Sequence, residues 1–353
     1  MPTSDSGRTA RRRAPTLREV ADRAGVHVST VSRVLRQSEP VDGWSESALR
    51  VREVAAELGY RPNLWAASLR TRRTTTLGAV MPRLTDGVVA TVYQGVEQAA
   101  RESGYSLLLS SPPDEPEEQR AAIDLLAGRQ VDGLLLSSLH SPATDFVSAL
   151  GLSVPMVALN RHANSGLPYV AGDDRHGGYL AGRHLIDCGY RRPAVIGGPP
   201  HATTGHDRVA GFLDALARAG VDIADHHVTH TDFEVAGGVE AATLMLDAPD
   251  RPDAIFAVSD SIAIGVLGVA RDLGLRIPDQ LGVVGYNDIP FASQLPVPLT
   301  TVVTPAREIG AAGVGLLLRR IEQPDSVPGD IVLPVHLVER GSTALLVDAG
   351  RSS

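Results

Sequence analysis

Residues 28–36 set Ser29, Thr30, Ser32 and Arg33 on one side of a helical pattern whose other side is Val31, Val34 and Leu35. Small hydroxyls and a guanidinium at that spacing can hydrogen-bond to base edges and phosphates in a DNA groove. A second polar group lies at the ends of apolar runs, with Ser259-Asp260 closing 254–258 and Asn287-Asp288 following 282–285. These short side chains either line the edge of a cleft or cap the next helix, a task that suits Asp260 best. Enzyme chemistry is poorly served. Gly197-Gly-Pro-Pro200 lacks the Lys-Ser/Thr of a nucleotide loop, and His201, His206, His226, His227 and His230 lack paired helical spacing with a supporting carboxylate. No catalytic residue, cofactor or metal site is therefore expected.

The first polar group needs a rigid support. Thr16-Leu17-Arg18-Glu19 is a capping box that starts a helix, Leu17, Val20, Ala21 and Ala24 give it one apolar face, and Gly25 ends it. The second helix, 28–36, follows after a tight turn, and a third, 45–59, is expected to bury Leu49, Val54 and Leu58 against the first two. Two short helices joined in this way form a helix-turn-helix, whose second helix enters the major groove. Residues 1–15, with Arg11-Arg12-Arg13, Pro2 and Pro15, are expected to form a disordered basic arm.

The second polar group needs a larger body. At 353 residues and 43% apolar content, the chain can build more than one core. Short apolar runs at 77–80, 106–109, 133–136, 156–159, 194–196, 254–258 and 282–285 alternate with helical patterns such as 89–103, 119–128 and 177–187, which predicts βα units and doubly wound parallel sheets. The body divides into two lobes near Val170, and in such folds ligands sit at the carboxyl ends of the strands. Charge separates the two parts. Fourteen Arg against eight Asp and Glu in residues 1–75 give that segment +6, so the rest carries −14 of the total −8. A basic head on an acidic body suits a chain that meets a polyanion with one end only. Cys188 is the single cysteine, which excludes an internal disulfide, and apolar runs are too short to span a membrane. A cytoplasmic protein is expected.

Together Thr16-Leu-Arg-Glu-Val-Ala-Asp-Arg-Ala-Gly-Val, Ser29-Thr-Val-Ser-Arg-Val-Leu35, Leu58-Gly-Tyr-Arg-Pro-Asn63 and Ser68-Leu-Arg-Thr71 resemble the LacI/GalR family of bacterial repressors. The resemblance implies a helix-turn-helix domain at 16–61, a hinge helix and linker at 62–74, and a periplasmic-binding-protein-like effector and dimerisation domain at 75–347, with a tail at 348–353. Its first lobe would take about 75–169 and 303–332, and its second about 170–302 and 333–347, with later crossings near Val302 and Leu333. Val28 and Ser29 would read bases, Arg33 would reach a base or phosphate, and Thr30 and Ser32 would mainly meet phosphates, with Thr16 also among the DNA-binding residues. Residues 63–70, including Asn63 and Ala66, match the hinge helix, with Leu69 as the wedge in the central minor-groove step, where unstacking is repaid by a bend that brings in more contacts. Arg208 would reach the effector, Phe233 would stack on it or serve the core, and Ser259, Asp260, Asn287 and Asp288 would complete the set.

The implied partners are pseudo-palindromic operator DNA, a small molecule such as a sugar, and a second copy of the chain. No leucine heptad follows Arg340-Gly-Ser-Thr343, so a tetramerising coil is not expected. The sequence departs from the family at His27, where a Ser-type cap is usual, in the longer loop Val41-Asp-Gly-Trp44, at Trp65-Ala66-Ala67, and at Ser259. After Pro82, Arg83-Leu-Thr-Asp-Gly-Val-Val89 replaces an aromatic pair, so that wall of the ligand site is missing. A nucleoside or other metabolite as effector, an activator built from the same modules, and a transport binding protein are the alternative readings; the last would need an export signal.

Overall fold

The computed structural model describes residues 15–35, 44–60, 73–137, 139–324 and 329–344. It divides into two units, Met1–Thr74 and Thr75–Ser353.

In the first unit, α1 (Leu17–Ala24), α2 (Val28–Val34) and α3 (Glu46–Leu58) enclose a small core of Val20, Ala24, Val31, Val34, Val51 and Val54. The capping box is formed: Thr16 Oγ1 accepts from the Glu19 amide at 3.3 Å, and the Glu19 carboxylate accepts from the Thr16 amide at 2.7 Å. Gly25 stops α1 at φ 67°, a left-handed conformation that costs a glycine little. The expected burial of Leu49 is wrong. It is 57% exposed, because the inward row of α3 runs through Ala48, Val51, Val54 and Ala55, and Leu49 lies one residue, about 100°, off that row. Leu58 is only half-buried.

The second unit holds two six-stranded sheets. The first contains β1 (Thr76–Val80), β2 (Ser106–Ser110), β3 (Gly133–Ser137), β4 (Met156–Leu159), β5 (Tyr169–Gly172) and the late β11 (Ile331–Leu333), in the order β11-β5-β4-β3-β1-β2 with every pair parallel. The second contains β6 (Pro193–Gly197), β7 (Val228–His230), β8 (Ala254–Ala257), β9 (Gly282–Asn287), β10 (Thr300–Val303) and β12 (His336–Val338), in the order β12-β10-β9-β8-β6-β7, where only β12 runs antiparallel. The central strands are buried on both faces, as parallel strands flanked by helices must be. Val170 pairs within the first sheet, and the chain passes from the first lobe to the second after Gly172, close to Val170; it crosses again after Val303 and after Leu333.

Helices α4 (Gly87–Glu102), α5 (Pro116–Gly128), α6 (Thr144–Leu150) and α11 (Ala306–Glu322) belong to the first lobe, and α7 (Asp174–Asp187), α8 (Thr203–Ala219), α9 (Val235–Leu246) and α10 (Asp260–Asp272) to the second. Two glycines bring α7 and α8 close. A Cβ on Gly178 would run into the Arg208 carbonyl, and one on Gly211 into the Arg175 carbonyl. That approach lets Asp174, at the start of α7, face Arg208 on α8. No helix among the described residues is long and apolar enough to cross a membrane.

Candidate functional site

On the first unit, His27 is the N-cap of α2. Its Nδ1 accepts from the Ser29 amide at 3.3 Å and lies 2.7 Å from Ser29 Oγ, so the ring does the work of the smaller cap. An imidazole nitrogen that accepts from an amide carries no proton, so the Ser29 hydroxyl donates to it and turns a lone pair outward. Ser29 and Arg33 are exposed, while Val28, Thr30 and Ser32 are half-buried on the same helix. Thr16 is exposed but commits its hydroxyl to the α1 cap. Asn63, Ala66 and Leu69 lie outside the described residues, as do residues 1–14.

Between the two lobes is a narrow cleft. Arg83, Asp86, Val88, Val89, Asn160 and Arg161 line it from the first lobe; Thr204, Arg208, Phe233 and Asn287 line it from the second. All stand at or just beyond the carboxyl ends of strands, or in the first turns of the helices that follow. Arg208 is buried: its Nε donates to Asp174 Oδ1 at 2.7 Å, its Nη1 donates to the Val258 carbonyl at 2.8 Å, and its guanidinium lies 3.7 Å from the centre of the Tyr286 ring. Burial pulls its pKa down, but Asp174, Tyr286 and Asp86 together more than offset this, and the guanidinium stays charged. Arg83 reaches across the cleft to donate to the Phe233 carbonyl at 2.9 Å, and Asp86 lies 3.8 Å behind it. Arg161 is 4% exposed, and burial lowers its pKa to about 10 against the pull of Asp114, 3.9 Å away. Asn160 Oδ1 is buried with no hydrogen-bond partner, a vacancy in the bonding that a ligand donor would fill.

Further contacts join the lobes at the cleft mouth. His162 Nε2 lies 3.1 Å from Asp207 Oδ2, and the Ser141 amide donates to the His201 carbonyl at 2.9 Å. The rings of His140 and His201 stack with centres 3.7 Å apart, and Asp114 hydrogen-bonds to His140 at 3.1 Å. Contrary to the expectation from sequence, two histidine groups do have a carboxylate beside them: Asp114 with His140 and His201, and Asp250 with His226 and His227. In the first group Arg161 already faces the carboxylate, which opposes the approach of a divalent cation.

The cleft brings together Arg208, Phe233 and Asn287 but not the other three residues expected there. Ser259 is the N-cap of α10 and accepts from the Ile262 amide at 3.3 Å. Asp260, expected to be the better cap, instead holds a loop, accepting from the Ile289 amide at 2.8 Å and the Thr301 hydroxyl at 2.6 Å, with burial raising its pKa to about 7. Asp288 accepts from Arg340 at 2.7 Å. The sequence reading missed Arg83, Asp86, Asn160, Arg161 and Thr204. The signal was present. Asn160-Arg161 directly follows a buried strand, and Arg83 and Asp86 sit in the segment read only as a lost aromatic wall.

Residues 16–63 match the lacI family of bacterial regulatory proteins, and residues 183–343 match a periplasmic binding protein-like domain. The ribose operon repressor of Escherichia coli (strain K12) is 34% identical over 334 residues, covering 93% of this chain and 99% of that protein. Among solved structures, the lac repressor dimer bound to operator and the anti-inducer ONPF superposes with a TM-score of 0.84 at 27% identity, over 94% of this chain and all of the other. The transcriptional regulator CelR in complex with cellobiose superposes with a TM-score of 0.70 at 36% identity, over 93% of this chain and 99% of the other.

Proposed function

The chain belongs to the LacI family of bacterial regulatory proteins, and from that premise we propose that it is a sequence-specific, DNA-binding repressor of carbohydrate-utilisation genes, controlled by a sugar-class metabolite held between its lobes. The observation that carries this reading is the presence in one chain of a capped helix exposing Ser29 and Arg33 and of a cleft in which Arg83, Arg161, Arg208 and Phe233 converge from two lobes. Guanidiniums donate in pairs to vicinal hydroxyls, and an aromatic face packs against a sugar ring. The named relatives of this chain are a repressor of the ribose operon, a regulator solved with cellobiose and the lac repressor solved with an anti-inducer, which favours a sugar frame.

Val28 and Ser29 contact base edges, Arg33 a base or phosphate, and Thr16, Thr30 and Ser32 the backbone, while Asn63, Ala66 and Leu69 form the hinge in the minor groove. Arg208, Phe233 and Asn287, joined by Arg83, Asp86, Asn160, Arg161 and Thr204, bind the effector. A second copy of the chain completes the assembly, so that two such helices meet the two halves of a pseudo-palindrome. Exposed apolar side chains on both lobes, Leu108 and Leu109 on edge strand β2, and Leu244 and Phe291 on the second lobe, are surfaces that a second copy would cover.

The test selects binding sites from random DNA with the full chain, then titrates the selected duplex in a gel-shift assay with and without candidate sugars. A two-fold symmetric consensus whose affinity changes at least tenfold with one sugar is expected. No enrichment of any sequence would overturn the reading. Leu69→Ala should weaken binding to the duplex without changing sugar affinity.

A further inference from the structure

We propose that His226, His227 and Asp250 form a binding site for a transition-metal dication, zinc above all, at the end of the second-lobe sheet remote from the cleft. His226 and His227 belong to the short helical turn Asp225–His227 that leads into β7, and Asp250 lies between α9 and β8. β7 and β8 flank β6, so the three residues gather at the amino ends of these strands, whereas the cleft lies at the carboxyl ends. One ligand atom from each residue lies within 4.8 Å of the other two. His226 Nε2 is 2.8 Å from Asp250 Oδ2, and the two imidazole rings have centres 4.5 Å apart at 63°.

The donor set decides the metal. Two imidazole nitrogens and one carboxylate oxygen suit zinc, and also cobalt or nickel, with water in the remaining position; calcium and magnesium prefer oxygen ligands throughout. Zinc bonds of about 2.0–2.1 Å set tetrahedral donors about 3.3 Å apart, so the widest gap here closes with a shift of at most about 1.5 Å. His226 and Asp250 are free to make it, with side chains 56% and 60% exposed. His227 is the fixed member: it is buried, and its Nε2 has no hydrogen-bond partner. The carboxylate is available in a way that Asp114 is not. Among the described residues Asp250 forms an ion pair with His226 and with no arginine, whereas Asp114 has Arg161 3.9 Å away. Arg192 bears on His227 less than burial, His226 or Asp250 do. A metal here joins the turn before β7 to the turn before β8 across the end of β6, so it stabilises the second lobe and leaves the cleft as it is.

Isothermal titration of the full chain, first stripped of metal with a chelator, tests this with zinc, cobalt and magnesium ions. One equivalent of zinc should bind, cobalt should take its place and show the absorption of a tetrahedral complex, and a large excess of magnesium should not compete. His226→Gln and Asp250→Asn, both changes to exposed side chains, should each weaken that equivalent tenfold or more. His140→Gln, which removes a ligand from the other histidine group, should leave it as it was. Zinc should raise the melting temperature of the unaltered chain and not that of His226→Gln. The proposal is overturned if the full chain binds no zinc, if both variants at the site keep the affinity, or if His140→Gln loses it. Displacement of zinc by magnesium, or an equal thermal shift in His226→Gln, overturns it as well.

Discussion

The His162 imidazole and the Asp207 carboxylate meet at 3.1 Å across the mouth of the cleft, one from each lobe. Asp207 raises the pKa of His162 by its hydrogen bond, against the opposing effect of burial, with Asp174 and Asn164 also near. The closed arrangement therefore gains stability from this pair below the ordinary histidine value of about 6.5 and loses it as pH rises through the raised one. His201, stacked on His140, is shifted the other way, first by burial and then by His140 and Arg161, against Asp114 and Asp232. Its contribution is full above the ordinary value of about 6.5 and is lost as pH falls through the lowered one. Effector affinity should thus peak near neutrality. Titrations between pH 5.5 and 8.5 check this: His162→Gln should flatten the alkaline limb and His201→Gln the acid limb, and an unchanged profile in both variants would refute it.

Arg208 and Asp174 depend on one another. Removing one charge of a buried pair leaves the other unpaired, at a cost of about 3–5 kcal/mol, so Arg208→Met should lower stability in urea unfolding by that order as well as abolish the ligand response. Replacing both, Arg208→Met with Asp174→Asn, should recover much of the stability but none of the response. If the double variant were no more stable than the single one, the pair would not be what holds α7 to α8.

How much of this could be read from the amino-acid order depends on what each residue answers to. The seven apolar runs read as strands are strands; six of them are central strands whose burial leaves a continuous apolar signature, while β2 is an exposed edge strand that kept its run of leucines. β5, β7, β10, β11 and β12 escaped notice: β7, β11 and β12 are three residues long, and β5 (Tyr-Val-Ala-Gly) and β10 (Thr-Thr-Val-Val) hold only two aliphatic residues in four, unlike the equally short β4 and β8. The site was legible where a motif marked it, as at Arg208, and misleading where short polar residues have two uses. Ser259 and Asp260 stand at a strand end as ligand residues would, yet they cap a helix and brace the Ile289 loop. That choice depends on which amides lie nearby, which only the folded chain decides.

Gly178 tests the support beneath the site. With a Cβ there directed into the Arg208 carbonyl, Gly178→Ala must push α8 away from α7. Overpacking of this kind costs about 1–3 kcal/mol, and it should displace Arg208 from Asp174 and from the cleft. Both the urea midpoint and effector affinity should fall while DNA affinity without effector holds. Gly128→Ala, where an added Cβ meets nothing within 4 Å, is the control and should leave all three unchanged.

Because its hydroxyl donates to His27 Nδ1 at 2.7 Å, Ser29 offers DNA an acceptor and should favour bases that present an amino donor in the major groove, adenine or cytosine. His27→Ser keeps a capping residue, worth about 1 kcal/mol, but removes the ring that receives the hydroxyl proton. The freed hydroxyl can then donate as well as accept. Domain stability should change little, whereas the consensus recovered from random DNA should broaden at the position that Ser29→Ala also alters. An identical consensus from His27→Ser and the unaltered chain, with Ser29→Ala still shifting that position, would show that Ser29 reads a base without the ring's help.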